Sequence, residues 1–256
     1  TFIPPNMDFE LGTTANWVYY RGTVASGHVF SLTPSAPVSG LHTLMSGSGT
    51  DVYGGFPVVG HGMYSLKLAH DTNSNNANSA IYNIHVPVGG AYRLDYKYDA
   101  VLEDAGHMPS DQPVMKVTAI DSATGVVLND SLDADPWDPG FTISTLSTTV
   151  KYKPWTSASI NLMGYGGRTI IVKFVVGGCA TAGHFGYGYI DVTGVTMTTA
   201  TSTPIAGAGR EIINVYPNPT SGVLKIQWAN QQTGVAELQI VDITGKLVRK
   251  SQLKID

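Results

Sequence analysis

Apolar and polar positions alternate with a period of two in run after run of this chain. Tyr64–Leu68, Ala80–Val86 and Tyr92–Tyr98 show it, and Val114–Ile120, Thr169–Val176 and Gly188–Met197 continue the series. That period places successive side chains on opposite faces of a strand. Each run is short and is bounded by Gly, Pro, Asn or Asp, as antiparallel sheets require. No window of about 12 residues carries an i, i+3, i+4, i+7 apolar stripe free of Gly, Pro or β-branched interruptions. The pattern predicts an all-β chain, with its first roughly 200 residues in a β-sandwich or jelly roll. Asn75–Ser79 breaks the alternation with polar and small residues and is expected to be a flexible loop.

Residues 199–210 read Thr-Ala-Thr-Ser-Thr-Pro-Ile-Ala-Gly-Ala-Gly-Arg. The stretch is small, polar and non-periodic, so it is expected to be a linker. It separates a domain over 1–198 from a second over 211–256. Charge changes across it: residues 1–209 hold 9 basic and 15 acidic residues, net −6, and residues 210–256 hold 6 and 4, net +2.

Composition narrows the function classes. The chain has 256 residues, 43% of them hydrophobic, enough for a sizeable core. Its net charge of −4 argues against a nucleic-acid partner. No apolar run approaches the roughly 20 residues of a membrane-spanning helix, so membrane insertion is not expected. A single cysteine excludes an intramolecular disulfide framework. The 26 Thr and 19 Ser outnumber the 34 charged residues, a balance associated with extracellular β proteins. The sequence opens Thr1-Phe2-Ile3-Pro4-Pro5 without Met, as expected of a mature chain that has lost a signal peptide or of a trimmed one.

The second domain carries the most specific text. Asn214-Val215-Tyr216-Pro217-Asn218-Pro219-Thr220-Ser221-Gly222 leads to Val223–Trp228, and Ala236–Val241 leads through Asp242-Ile243-Thr244-Gly245 to Lys246–Lys250. Pro217 and Pro219 fix φ and lack an N–H, so Val215–Thr220 is expected to be irregular. Thr244-Gly245 suits a hairpin turn. These residues resemble the C-terminal sorting domain of type IX secretion substrates of Bacteroidota. Tyr216, Pro217, Asn218, Pro219, Gly222, Asp242, Gly245 and Lys246 match its signal. The resemblance implies a small immunoglobulin-like β-sandwich and three partners: the type IX translocon, an attachment or shuttle protein, and a sortase. It also implies passage through the periplasm to the outer surface or the medium. That family continues with a Gly-containing turn and further strands where this sequence stops at Asp256, so the domain is expected to be partial, with an edge open to strand addition.

The first domain opens with Asn6-Met7-Asp8-Phe9-Glu10-Leu11-Gly12 and Trp17, and closes near Tyr187-Gly188-Tyr189-Ile190-Asp191-Val192. This pairing resembles galactose-binding-like carbohydrate-binding modules. In them the first and last strands are neighbours and a structural calcium often sits beside them. The resemblance implies Ca²⁺ held by Glu10, Asp191 and Asp8, since hard oxygen donors suit that ion. The other reading makes these acids turn residues bonded to backbone amides. Val101–His107 with Gln112-Pro113, and Gly178–Tyr187, also look like an uncharacterised jelly-roll module of large Bacteroidota surface proteins.

Candidate chemistry is sparse. His107 and His184 each follow a glycine, with Glu103 and Cys179 nearby in the motifs. That set permits a zinc site, but nothing has the Cys-x₂-Cys or His-x₃-His spacing of one. The preferred reading is two loop histidines tying loops together through Glu103, with Cys179 a small buried apolar residue. Asp130–Asp138 is a solvated acidic loop in which Trp137 is the candidate to stack on a sugar ring. Trp17 and Trp155 are expected in the core. No phosphate loop, nucleophile triad or catalytic carboxylate pair is visible. The expected function is a non-catalytic surface binding or adhesion module with a glycan ligand. The alternative is a self-assembling subunit of an extracellular filament or surface assembly.

Overall fold

The computed structural model describes residues 2–104, 106–128 and 132–197, and the strand segments 213–216, 225–228, 234–241 and 247–255. The linker at 199–210 and Pro217, Asn218, Pro219, Gly222, Asp242, Gly245 and Lys246 lie outside the described residues. Two compact units result, Thr1–Ala200 and Thr201–Asp256.

In the first unit the strands are β1 (Val18–Ala25), β2 (Val29–Ser35), β3 (His42–Ser46), β4 (Tyr64–Leu68), β5 (Asn76–His85) and β6 (Tyr92–Glu103). They continue with β7 (Val114–Asp121), β8 (Leu132–Ala134), β9 (Thr142–Ile143), β10 (Val150–Asn161), β11 (Thr169–Gly177) and β12 (Gly186–Met197). One short 3₁₀ turn, Pro109–Asp111, is the helix content of the described residues. The front sheet has the order β3-β4-β12-β6-β10-β9, and the back sheet β2-β1-β5-β11-β7-β8. Neighbours pair antiparallel throughout. This is the jelly-roll sandwich that the alternation predicts.

The alternation is what builds the core. Along β6, Leu94, Tyr96, Tyr98, Ala100 and Leu102 turn inward and are buried. They meet Tyr82, Ile84, Val117, Val172 and Phe174 of the back sheet in one cluster. Trp17 is only 6% exposed and stacks on Phe9, ring centroids 4.7 Å apart. Phe2 exchanges both backbone hydrogen bonds with Val195 of β12, at 2.9 and 2.8 Å, so the chain's first pairing closes beside the domain's last strand.

Asn76–Ser79 is not a loop: it begins β5. The strand is central, between β1 and β11, and Ala77 packs under Val24 and Val175 on the outer face of the sheet. Small residues are what that second covered face admits. In β12 burial runs unbroken from Gly186 to Val192, because the loop between β3 and β4 covers the outer face of the front sheet.

In the second unit β13 (Ile213–Tyr216) pairs antiparallel with β14 (Lys225–Trp228), and β15 (Gly234–Val241) with β16 (Leu247–Ile255). Val215 and Tyr216, expected to be irregular, belong to a ladder that reaches as far as the residue before the first proline.

Candidate functional site

At one end of the sandwich the loops after β6, β8, β9 and β11 are tied together, and Asp104 is the knot. Its Oδ1 accepts the Gln112 side-chain N–H at 2.8 Å, the Gly106 amide at 3.0 Å and the Trp137 indole N–H at 3.2 Å. Its other oxygen pairs with Lys151 Nζ at 2.7 Å. Burial alone would raise this carboxyl, but Lys151 and the three N–H donors outweigh it and hold it at about 2. Asp104 is therefore an ionised acceptor at any physiological pH, not a proton donor.

Trp137 sits on a turn built by its own acids. Asp135 Oδ1 accepts the Trp137 amide at 2.7 Å, and Asp138 Oδ2 accepts the Asp135 amide at 3.0 Å. The indole is 51% exposed although its N–H is tied to Asp104. One edge is fixed and ring surface is left to solvent. Asp133 of the same acidic stretch turns the other way, to Lys116 at 2.8 Å and His28 at 3.3 Å.

His107, Cys179 and His184 converge beside this knot. One ligand atom from each lies within 4.8 Å of the others. Cys179 Sγ is 3.6 Å from His184 Nδ1 and 3.2 Å from Thr181 Oγ1, which in turn is 3.0 Å from His107 Nε2. Glu103, the expected partner of the histidines, instead accepts the Phe185 amide and the Thr149 hydroxyl, both at 3.4 Å.

On the outer face of the front sheet, Glu10 and Asp191 reach the same segment before β4. Glu10 accepts the Met63 amide at 2.9 and 3.0 Å and the Tyr64 amide at 3.1 Å. Asp191 Oδ2 accepts the amides of His61 at 2.6 Å and Gly60 at 3.2 Å. Gly62, at φ +66°, lies under the Glu10 carboxylate, where a Cβ would sit 2.4 Å from Oε1. Asp191 Oδ1 is buried without a partner. Burial, with help from Glu10, pushes Asp191 up to about 7 against the His61 and Gly60 amides and Lys97. Asp8 caps the Glu10 amide at 3.3 Å within the N-terminal turn.

Sequence reasoning missed a buried polar cluster beside this segment. Asp51 Oδ2 accepts the hydroxyls of Tyr187 at 2.8 Å and Tyr189 at 3.0 Å, and its Oδ1 accepts the amides of Gly54 and Tyr53. Lys67 Nζ lies 3.9 Å from the centre of the Tyr187 ring. Burial lowers Lys67, raises both tyrosines and raises Asp99 well above the carboxylate range. The cluster anchors the covering loop to β12.

Comparison with solved structures finds carbohydrate-binding β-sandwiches. A family 61 module solved with β-1,4-galactotriose is 13% identical and covers 77% of this chain and 99% of its own, with a TM-score of 0.45. A family 28 module specific for non-crystalline cellulose is 11% identical over 78% and 97%, TM-score 0.37. A family 27 module of Caldicellulosiruptor saccharolyticus, solved with mannohexaose, is 11% identical over 73% and 92%, TM-score 0.36. A comparison with curated proteins finds no match. Residues 214–256 match the family model described as the secretion system C-terminal sorting domain. The second unit is thus a sorting domain of the type IX kind, and the protein that carries it is secreted, to the cell surface or beyond.

Proposed function

We propose that the first unit is a non-catalytic binding module with a glycan ligand, and that Trp137 is its stacking platform. The observation that carries this is the half-exposed indole whose N–H is already committed to Asp104. A fixed aromatic face presents apolar area to the C–H face of a sugar, and ionised Asp104 with Lys151 sets polar groups beside it. The adhesion role, and the translocon, shuttle protein and sortase as partners, follow from the sorting domain on the same reading.

The same reading gives the module a structural Ca²⁺ held by Glu10 and Asp191. Its support is the buried Asp191 Oδ1 without a partner, an oxygen that a hard cation would satisfy. When bound, the ion would supply charge neutralisation only; Glu10 and Asp191 already order residues 60–64 through their backbone amides.

A glycan array with the full chain tests the ligand class. Binding to at least one glycan is expected, with Trp137→Ala abolishing it and leaving the melting temperature unchanged. Binding to no glycan, or a Trp137→Ala variant that binds as well as the parent, overturns the proposal. The alternative, a filament subunit joined by strand addition, is favoured by the two separate two-stranded ladders among the described residues of the second unit. Electron microscopy of the concentrated full chain separates the two: ordered polymers support the subunit, dispersed monomers refute it.

A further inference from the structure

The loop end of the sandwich contains a second constellation that the glycan reading does not use. His107, Cys179 and His184 come from two different crossings between the sheets. His107 lies between β6 and β7, and Cys179 and His184 lie between β11 and β12. We propose that these three side chains form a zinc site that staples the two crossings together.

The geometry supports a metal. Zinc–sulfur and zinc–nitrogen bonds of about 2.3 and 2.0 Å at a tetrahedral angle give a sulfur-to-nitrogen edge of about 3.5 Å. Cys179 Sγ and His184 Nδ1 are 3.6 Å apart. The remaining ligand atoms are within 4.8 Å, so rotamer adjustment of at most about 1.5 Å brings them to a tetrahedral edge. What stands between Sγ and His107 Nε2 is the Thr181 hydroxyl, at 3.2 and 3.0 Å. Thr181 is exposed, so rotation about its χ1 vacates that position at little cost.

The loop is shaped for a thiolate. The Gly183 amide donates to Cys179 Sγ at 3.2 Å, and the Cys179 amide donates to the His184 carbonyl at 3.0 Å. Ala182 adopts φ +65° to close this turn, and its amide returns to the Cys179 carbonyl at 3.0 Å. The thiol proton passes to solvent as the ion binds. His107 is positioned independently: Gln112 Nε2 holds its carbonyl at 3.3 Å, and the Ala180 amide donates to Asp111 at 3.1 Å, locking one loop to the other. One sulfur and two imidazoles are a borderline-soft donor set that suits zinc over calcium or magnesium. Cys179 is fully buried while both histidines are half-buried, so the fourth position faces solvent and takes water.

The test uses the full untagged chain, stripped of metal and titrated with Zn²⁺ against a chromogenic chelator. Uptake of one equivalent is expected. Co²⁺ in its place should give a near-ultraviolet thiolate-to-cobalt absorption, absent from Cys179→Ser. His107→Asn, at the half-buried rim where folding is not at risk, should weaken zinc binding by about tenfold or more. Glu10→Gln should leave uptake unchanged. No uptake, uptake without the cobalt–thiolate absorption, or a His107→Asn variant equal to the parent overturns the site.

Discussion

Asp191 makes stability fall as pH rises through the neutral range. An ordinary aspartate sits at 3.8, and burial, with Glu10 beside it, pushes Asp191 up to about 7. In the unfolded chain the carboxyl releases its proton near the ordinary value; in the folded chain it keeps the proton to about 7. Between those values unfolding releases a proton, so rising pH favours the unfolded state. Stability from this group is therefore full below about pH 4, falls across the window and levels off above about pH 7. The gap is worth at most about 4 kcal/mol. Asp191→Asn removes the ionisation and keeps an oxygen to accept the Gly60 and His61 amides. Urea unfolding of both proteins in chelator, at about pH 4.5 and about pH 8, isolates the effect. Asp99 is shifted the same way but is present in both proteins, so it cancels. The variant should gain about 2–4 kcal/mol on its parent between the two conditions. Calcium at pH 8 should return part of that to the parent alone. An equal difference at both pH values refutes the reasoning.

Four further outcomes are expected. Asp51→Ala leaves two buried tyrosine hydroxyls without an acceptor and should cost about 3 kcal/mol or more in denaturant unfolding, against about 1 for Tyr187→Phe. Gly22→Ala places a Cβ 1.8 Å from the Ser31 carbonyl, so β1 and β2 must part; a loss of about 1–3 kcal/mol in the same assay is expected. Trp17→Ala should cost about 3–5 kcal/mol. Trp137→Ala should stay within about 0.5 kcal/mol of the parent in calorimetry, since its ring is half in solvent.

The sandwich was legible where one face of a strand meets the core and the other meets water. β7 and the first halves of β6 and β11 show this, and their alternation is plain in the sequence. β2 lies at a sheet edge with most positions exposed or half-exposed, so no apolar row marks it. β10 changes register between Lys153 and Thr156, which breaks its period in the middle. The acids Glu10 and Asp191 were legible through a resemblance, and the structure brings them to one backbone segment; Gly62 was the signal there, as the residue that leaves room for a carboxylate. Trp137 was legible as an aromatic in an acidic turn. Asp51 was not, because its two tyrosines lie 136 and 138 residues away and no local spacing encodes that. The histidine pair was noticed, but proximity to Glu103 in sequence suggested the wrong partner.

The pairing of Phe2 with Val195 has a mechanical consequence. Antiparallel pairing brings the N-terminal side of Phe2 and the outgoing end of β12 to the same rim. A secreted protein tethered through its sorting domain and gripped upstream of Phe2 would feel tension across those two points. That load separates the two backbone hydrogen bonds in sequence, as a zip does, and not in parallel, as shear would. On the β12 side the load enters at Met197, which pairs with Tyr92 of β6, before it reaches the clasp at Val195.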